Sequence, residues 1–142
     1  MKVVVTGGSG RAGQYIIPEL VSHGYEVVNA DTTPGSEQGA RFYSTDATDL
    51  GAVVAATKAA DAIIHMAAIP APVHFAEHEV FRVNMMSNWN VLEAAEIHGV
   101  KKIVMASSIN AIGAGFSPAP MPPPEYRSGS GNLNSALSGI AA

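Results

Sequence analysis

The chain has 142 residues, and its 8 Lys and Arg against 12 Asp and Glu leave a formal net charge of −4. At 47% hydrophobic and without cysteine, it can fill a single core but has no means for disulfides, a thiolate nucleophile or cysteine-held zinc. The mild acidic balance offers no footprint for nucleic acid or anionic lipid, and no apolar run approaches the roughly 18 residues of a membrane span. No secretory core precedes Thr6-Gly7-Gly8, so a cytoplasmic protein is expected.

Strand and helix signals alternate along the front of the chain. Lys2 to Thr6 is a β-branched run ended by glycines, the pattern of a buried parallel strand. Arg11 to His23 predicts a helix stopped by Gly24, with Pro18 awkward inside it. Tyr25 to Ala30 is a second strand ending at Asp31, and Arg41 to Thr45 a third after a turn-rich stretch. Leu50 to Ala60 is an alanine-rich helix, and Ala62 to His65 a fourth strand. Glu79 to His98 places Val80, Val83, Val91, Leu92 and Ala95 on a helical period, with Gly99 as its stop. Met85-Met86 and Trp89 read as core or interface packing, and Lys101 to Ala106 as a fifth strand. Such alternation implies a parallel sheet with helical crossovers.

The turn after the first strand carries the chemical signal. Thr6 to Gly13 reads T-G-G-S-G-R-A-G and contains G-x-G-x-x-G at Gly8, Gly10 and Gly13, as well as G-x-x-G-x-x-G at Gly7, Gly10 and Gly13. A tight strand-to-helix turn and close approach of backbone to a pyrophosphate both need residues without Cβ, and the helix N-terminus offers free N–H groups to the anion. Asp31 ends the second strand 18 residues after Gly13, where a ribose-binding carboxylate is expected. That carboxylate would repel a 2′-phosphate, which favours NAD over NADP, and the next basic residue is Arg41. Arg11 can contact phosphate or simply stand solvated in the first turn.

Several further motifs follow in order: Asp46-Ala47-Thr48-Asp49, His65-Met66-Ala67-Ala68, Asn84, Asn90-Val91-Leu92-Glu93-Ala94-Ala95 and Ser107-Ser108. With the glycine turn and Asp31, the chain resembles the extended short-chain dehydrogenases/reductases, the NAD-dependent epimerase/dehydratase family, over roughly residues 1 to 116. The resemblance implies an α/β, Rossmann-like doubly wound parallel sheet, incomplete at about five strands, with an irregular C-terminal tail. It also implies that Gly7, Gly10, Arg11, Ala12, Gly13 and Asp31 bind the dinucleotide. Asp46 and Ala47 would meet its adenine, and Ala67 and Ala68 would line it near the phosphates and nicotinamide ribose. Asn84 would support the proton relay, and Ser108 would hydrogen-bond the substrate. The family further implies a sugar nucleotide, sugar acid or similar hydroxyl substrate, and pairing of subunits through the Glu79–His98 helix. Other roles are open to the same residues: Asp46 and Asp49 as helix N-caps, Asn84 on a wet helix side, Ser107-Ser108 as a strand end.

The family's Tyr-x-x-x-Lys has no counterpart. The later tyrosine is Tyr126, Ser130 stands four residues beyond it, and no lysine follows Lys102. From Ser107 to Ala142 the charged residues are Glu125 and Arg127, and five of the nine prolines lie between Pro118 and Pro124. The expected organisation is a partial NAD(P)-binding domain over 1–116 and a Pro-rich, then Ser/Gly-rich flexible tail over 117–142. Such a chain is expected to be a truncated, cofactor-binding and inactive part of the enzyme, the alternative being a non-catalytic dinucleotide-sensing module. His74-Phe75-Ala76-Glu77-His78 fits the zinc-hydrolase pattern H-x-x-E-H, but after Pro70-Ala71-Pro72 it reads as a solvated helix start, and no metal is expected.

Overall fold

The computed structural model describes residues 1–36, 39–70 and 73–108. Among the described residues five strands run in the order β3-β2-β1-β4-β5: β1 Lys2–Thr6, β2 Glu26–Asp31, β3 Arg41–Ser44, β4 Ala62–His65 and β5 Lys102–Met105. Every neighbouring pair is parallel, with Val3 opposite Val27 on one side and Ala62 on the other. The helices α1 Gly13–Ser22, α2 Leu50–Ala56 and α3 Glu77–His98 connect them.

Alternation along β1 sorts its side chains between two layers. Val3 and Val5 pack with Val27 beneath Ile17 of α1, whereas Val4 joins Val28, Ala30 and Ala56. On the α2 and α3 side, Ile63 is buried with Val53, Val91, Ala94, Ala95 and Val100. A strand covered on both faces carries an unbroken apolar run, which is why Val3-Val4-Val5 reads as it does. The fold is therefore the expected Rossmann-like α/β sheet.

Local chemistry shifts several expected boundaries. α1 begins at Gly13 and not at Arg11, because the Gly10 N–H turns back to the Gly7 carbonyl (3.1 Å). It runs through Pro18 to Ser22. α2 stops at Ala56 rather than Ala60: Thr57 caps it, its Oγ1 donating to the Val53 carbonyl at 2.8 Å, and Ala59 takes a φ of 58°. α3 starts two residues early, with Glu77 and Glu79 in its first turn and His98 in its last, the signs its dipole favours. Gly99 ends it in the left-handed conformation, as expected. The core reading of Met85-Met86 and Trp89 is overturned. All three are exposed, Trp89 at 63%, and so is Leu92, because α3 turns Ser87, Asn90, Val91, Ala94 and Ala95 inward. Residues 109–142, including Tyr126 and the expected tail, lie outside the described residues. Among the described residues no helix is long and apolar enough to cross a membrane.

Candidate functional site

The carboxyl ends of β1, β2 and β4 and the loop after β3 enclose an open cleft of about 330 Å³. It lies where the sheet order reverses, with β2 on one side of β1 and β4 on the other, the position at which open α/β sheets bind ligands. Gly7, Gly10, Asp31, Asp46, Ala47, Ala67 and Ala68, each singled out in the sequence, line it. Ser9, Thr32, Thr33, Thr45, Thr48, Met66, Ile69 and Val83 line it too.

Steric demand explains the glycines. Gly7 has a φ of +67°, and a Cβ there would stand 2.5 Å from the Ala67 nitrogen. At Gly13 a Cβ would strike the Gly8 carbonyl, so helix and turn meet backbone to backbone. No side chain caps the first turn of α1, so its amides face the turn without a side-chain competitor. Arg11 and Ala12 are exposed there, while Gly13 is buried behind the cleft.

Asp31 is fastened before any ligand arrives. Its Oδ2 accepts from the Ser9 N–H at 3.0 Å, and its Oδ1 from the N–H groups of Thr32 (2.7 Å) and Thr33 (3.4 Å). Ser9 is held in turn, its Oγ donating to the Thr33 carbonyl (2.6 Å) and accepting from Asn29 Nδ2 (2.9 Å). The glycine turn and the β2 end thus form one rigid corner. Asp46 accepts from the N–H and hydroxyl of Thr48, both at 2.8 Å, and so closes its own turn. Asp49 is the N-cap of α2, accepting from the Ala52 N–H at 3.1 Å.

α3 braces the floor. Asn84 Oδ1 accepts from the Ile69 N–H (2.8 Å) while its Nδ2 donates to the Ile69 carbonyl (3.1 Å). Ser87 Oγ reaches the Ala67 carbonyl at 3.4 Å, and Asn90 Nδ2 the Ala47 carbonyl at 3.0 Å. His65, buried at the end of β4, shares a 2.5 Å hydrogen bond with Thr6 Oγ1. Burial pushes its pKa down from 6.5 to about 4, while a hydrogen bond with the Asn88 side chain works in the opposite direction. Ser108 stands exposed three residues past β5, apart from the cleft lining.

Ser9, His65, Ser87, Asn88 and Asn90 went unremarked as site residues in the sequence. One signal was available: polar residues at 84, 87, 88 and 90 cluster within two turns of a helix that also carries the buried Val91, Ala94 and Ala95. The zinc pattern does not assemble. His74, with a φ of 73°, precedes the helix that begins at Glu77, so it cannot share a helical face with His78. Among the described residues no three His, Asp or Glu side chains are grouped to hold a metal ion.

Comparison with known proteins agrees with this geometry. A family model described as the NAD dependent epimerase/dehydratase family matches residues 3–136, past residue 116 where the motif resemblance stops. The chain is 32% identical over 134 residues to UDP-glucose 4-epimerase of Bacillus subtilis, covering 80% of this chain and 38% of that protein. A mutant uronate dehydrogenase from Agrobacterium tumefaciens complexed with NAD superposes with a TM-score of 0.65 at 28% identity, over 75% of this chain and 40% of that one. MoeE5 in complex with UDP-glucose and NAD gives a TM-score of 0.70 at 31% identity, over 77% and 37%. The chain thus spans about two fifths of the length of the proteins it matches.

Proposed function

The chain belongs to the NAD-dependent epimerase/dehydratase family, and on that premise we propose that its cleft binds NAD as the cofactor-binding portion of an oxidoreductase. The observation that carries this reading is the corner formed by the glycine turn and Asp31. Gly7 and Gly10 suit a pyrophosphate because no Cβ keeps it from the backbone, and the first turn of α1, without a side-chain cap, turns backbone N–H groups toward it. Asp31, fixed by Ser9 and Thr32, suits the ribose hydroxyls and disfavours a 2′-phosphate, so NAD is preferred over NADP. Asp46 and Ala47 receive the adenine, and Ala67 and Ala68 the nicotinamide side. Bound NAD would supply a hydride acceptor for a hydroxyl carbon.

The substrate class is a sugar nucleotide, sugar acid or similar alcohol. Solved relatives that superpose on this chain carry UDP-glucose or are uronate dehydrogenases. Asn84 and Ser108 are the members of the family's relay present here, and no lysine follows Lys102. A tyrosine without that neighbouring ammonium keeps an ordinary, high pKa and is a poor general base at neutral pH. The 142 residues therefore bind cofactor without turnover. We also propose that two copies pair through α3, which exposes Phe81, Met85, Trp89 and Leu92 along one stripe.

Calorimetric titration tests the reading. NAD is expected to bind, NADP to bind at least about tenfold more weakly, and Asp31→Ala to lower NAD affinity about tenfold or more. An NAD affinity indifferent to Asp31→Ala sinks the assignment, and NADH formation from uronic acids or sugar nucleotides by this chain sinks the claim of no turnover.

A further inference from the structure

We propose that α3 sets the two walls of the cleft separately: Asn90 positions the wall that meets the adenosine half of the ligand, and Asn84 the wall that meets the nicotinamide half. The proposal rests on the dinucleotide reading above and adds two positioning residues to it. At 3.6 residues per turn, residues six apart lie about 120° from one another around a helix. Asn90 and Asn84 therefore look out from α3 in different directions, and each finds a different loop.

Asn90 is 2% exposed and donates to the Ala47 carbonyl at 3.0 Å. The N–H of the same peptide unit, that of Thr48, is held by Asp46 Oδ1 at 2.8 Å. One peptide plane in the cleft wall is thus fixed at both ends, from a helix on one side and from a carboxylate on the other. This wall lies beyond Asp31 on the β3 side, and a ribose held by Asp31 places its adenine there.

Asn84 holds both polar groups of Ile69, at 2.8 and 3.1 Å, across the sheet from Ala47. The amide accepts from the N–H with one atom and donates to the C=O with another, a pairing an ionised carboxylate cannot make. A carboxylate in its place would confront the Ile69 carbonyl with like polarity. Ser87, between the two asparagines, reaches the Ala67 carbonyl at 3.4 Å and shares the Asn84 side of the work. Because both loops hang on one rigid helix, each half of the ligand senses its own asparagine.

Half-ligands separate the two. For the 142-residue chain, Asn90→Asp, which cannot donate to Ala47, is expected to weaken ADP-ribose about tenfold and leave nicotinamide mononucleotide within about twofold. Asn84→Asp is expected to do the reverse. Equal weakening of both ligands by either variant, or weakening of neither, overturns the proposal. An unsubstituted chain that binds neither half-ligand overturns the cleft reading and the proposal with it, whereas binding without half-selectivity overturns the proposal alone. Amide hydrogen exchange on the unsubstituted chain needs no variant to fold. ADP-ribose should slow the Thr48 amide more than the Ile69 amide, and nicotinamide mononucleotide the opposite; equal slowing by both ligands contradicts the proposal.

Discussion

A methyl group at residue 13 would run into the Gly8 backbone, and the obstacle is a peptide group of the same turn rather than a side chain that can swing away. Gly13→Ala is therefore expected to cost about 3 kcal/mol of stability, at the upper end of ordinary overpacking, read as a lower urea midpoint at unchanged slope. A loss under about 0.5 kcal/mol would show that the turn is softer than its geometry. The glycine turn and Asp31 were legible from the sequence because the motif is local. The glycines lie within a few positions of one another, Asp31 ends the very next strand, and the chemistry of pyrophosphate and ribose dictates each. The hydrogen bonds that fix Asp31 were not legible, since Ser9 lies 22 residues away and becomes its neighbour only once β1 and β2 pair.

At the scale of elements, β4 ends in a histidine that the fold keeps uncharged. Burial lowers the His65 pKa to about 4, so between pH 6.5 and 4 the unfolded chain takes up a proton that the folded chain refuses. The sign follows: stability from this group is complete above pH 6.5 and declines as pH falls, by about 3 kcal/mol by the time pH reaches the folded value. Chemical denaturation from pH 7.5 to 4.5 should show the decline, and His65→Gln should flatten it. An identical slope in the variant would assign the acid sensitivity elsewhere. α3 shows why element content is easier to read than element orientation. Its helical period is plain in the sequence, yet it carries apolar residues on two sides. The side turned inward bears Ser87 and Asn90, because loops 20 and 43 residues distant need donors there. Periodicity alone cannot say which stripe finds a partner inside the chain.

The whole molecule shows the other stripe to solvent. Phe81, Met85, Trp89 and Leu92 recur every three or four residues on the outside of α3, an apolar surface that burial against a second copy would remove from water. Sedimentation velocity is expected to show a concentration-dependent dimer, and Trp89→Glu a monomer with unchanged NAD affinity. A monomer at all concentrations would reject pairing. The order of the strands carries one more consequence. β1 precedes the other four strands along the chain yet ends at the centre of the sheet, finding β2 across a short stretch of chain and β4 only across a much longer one. Closing the longer loop costs more chain entropy, so the β1–β2–β3 half is the natural early assembly. A molecule that touches Asp31 and Ala67 together has nowhere to sit until β4 arrives. Its binding energy is then gained after the slow step of folding, and it lengthens the life of the finished protein without hastening its birth.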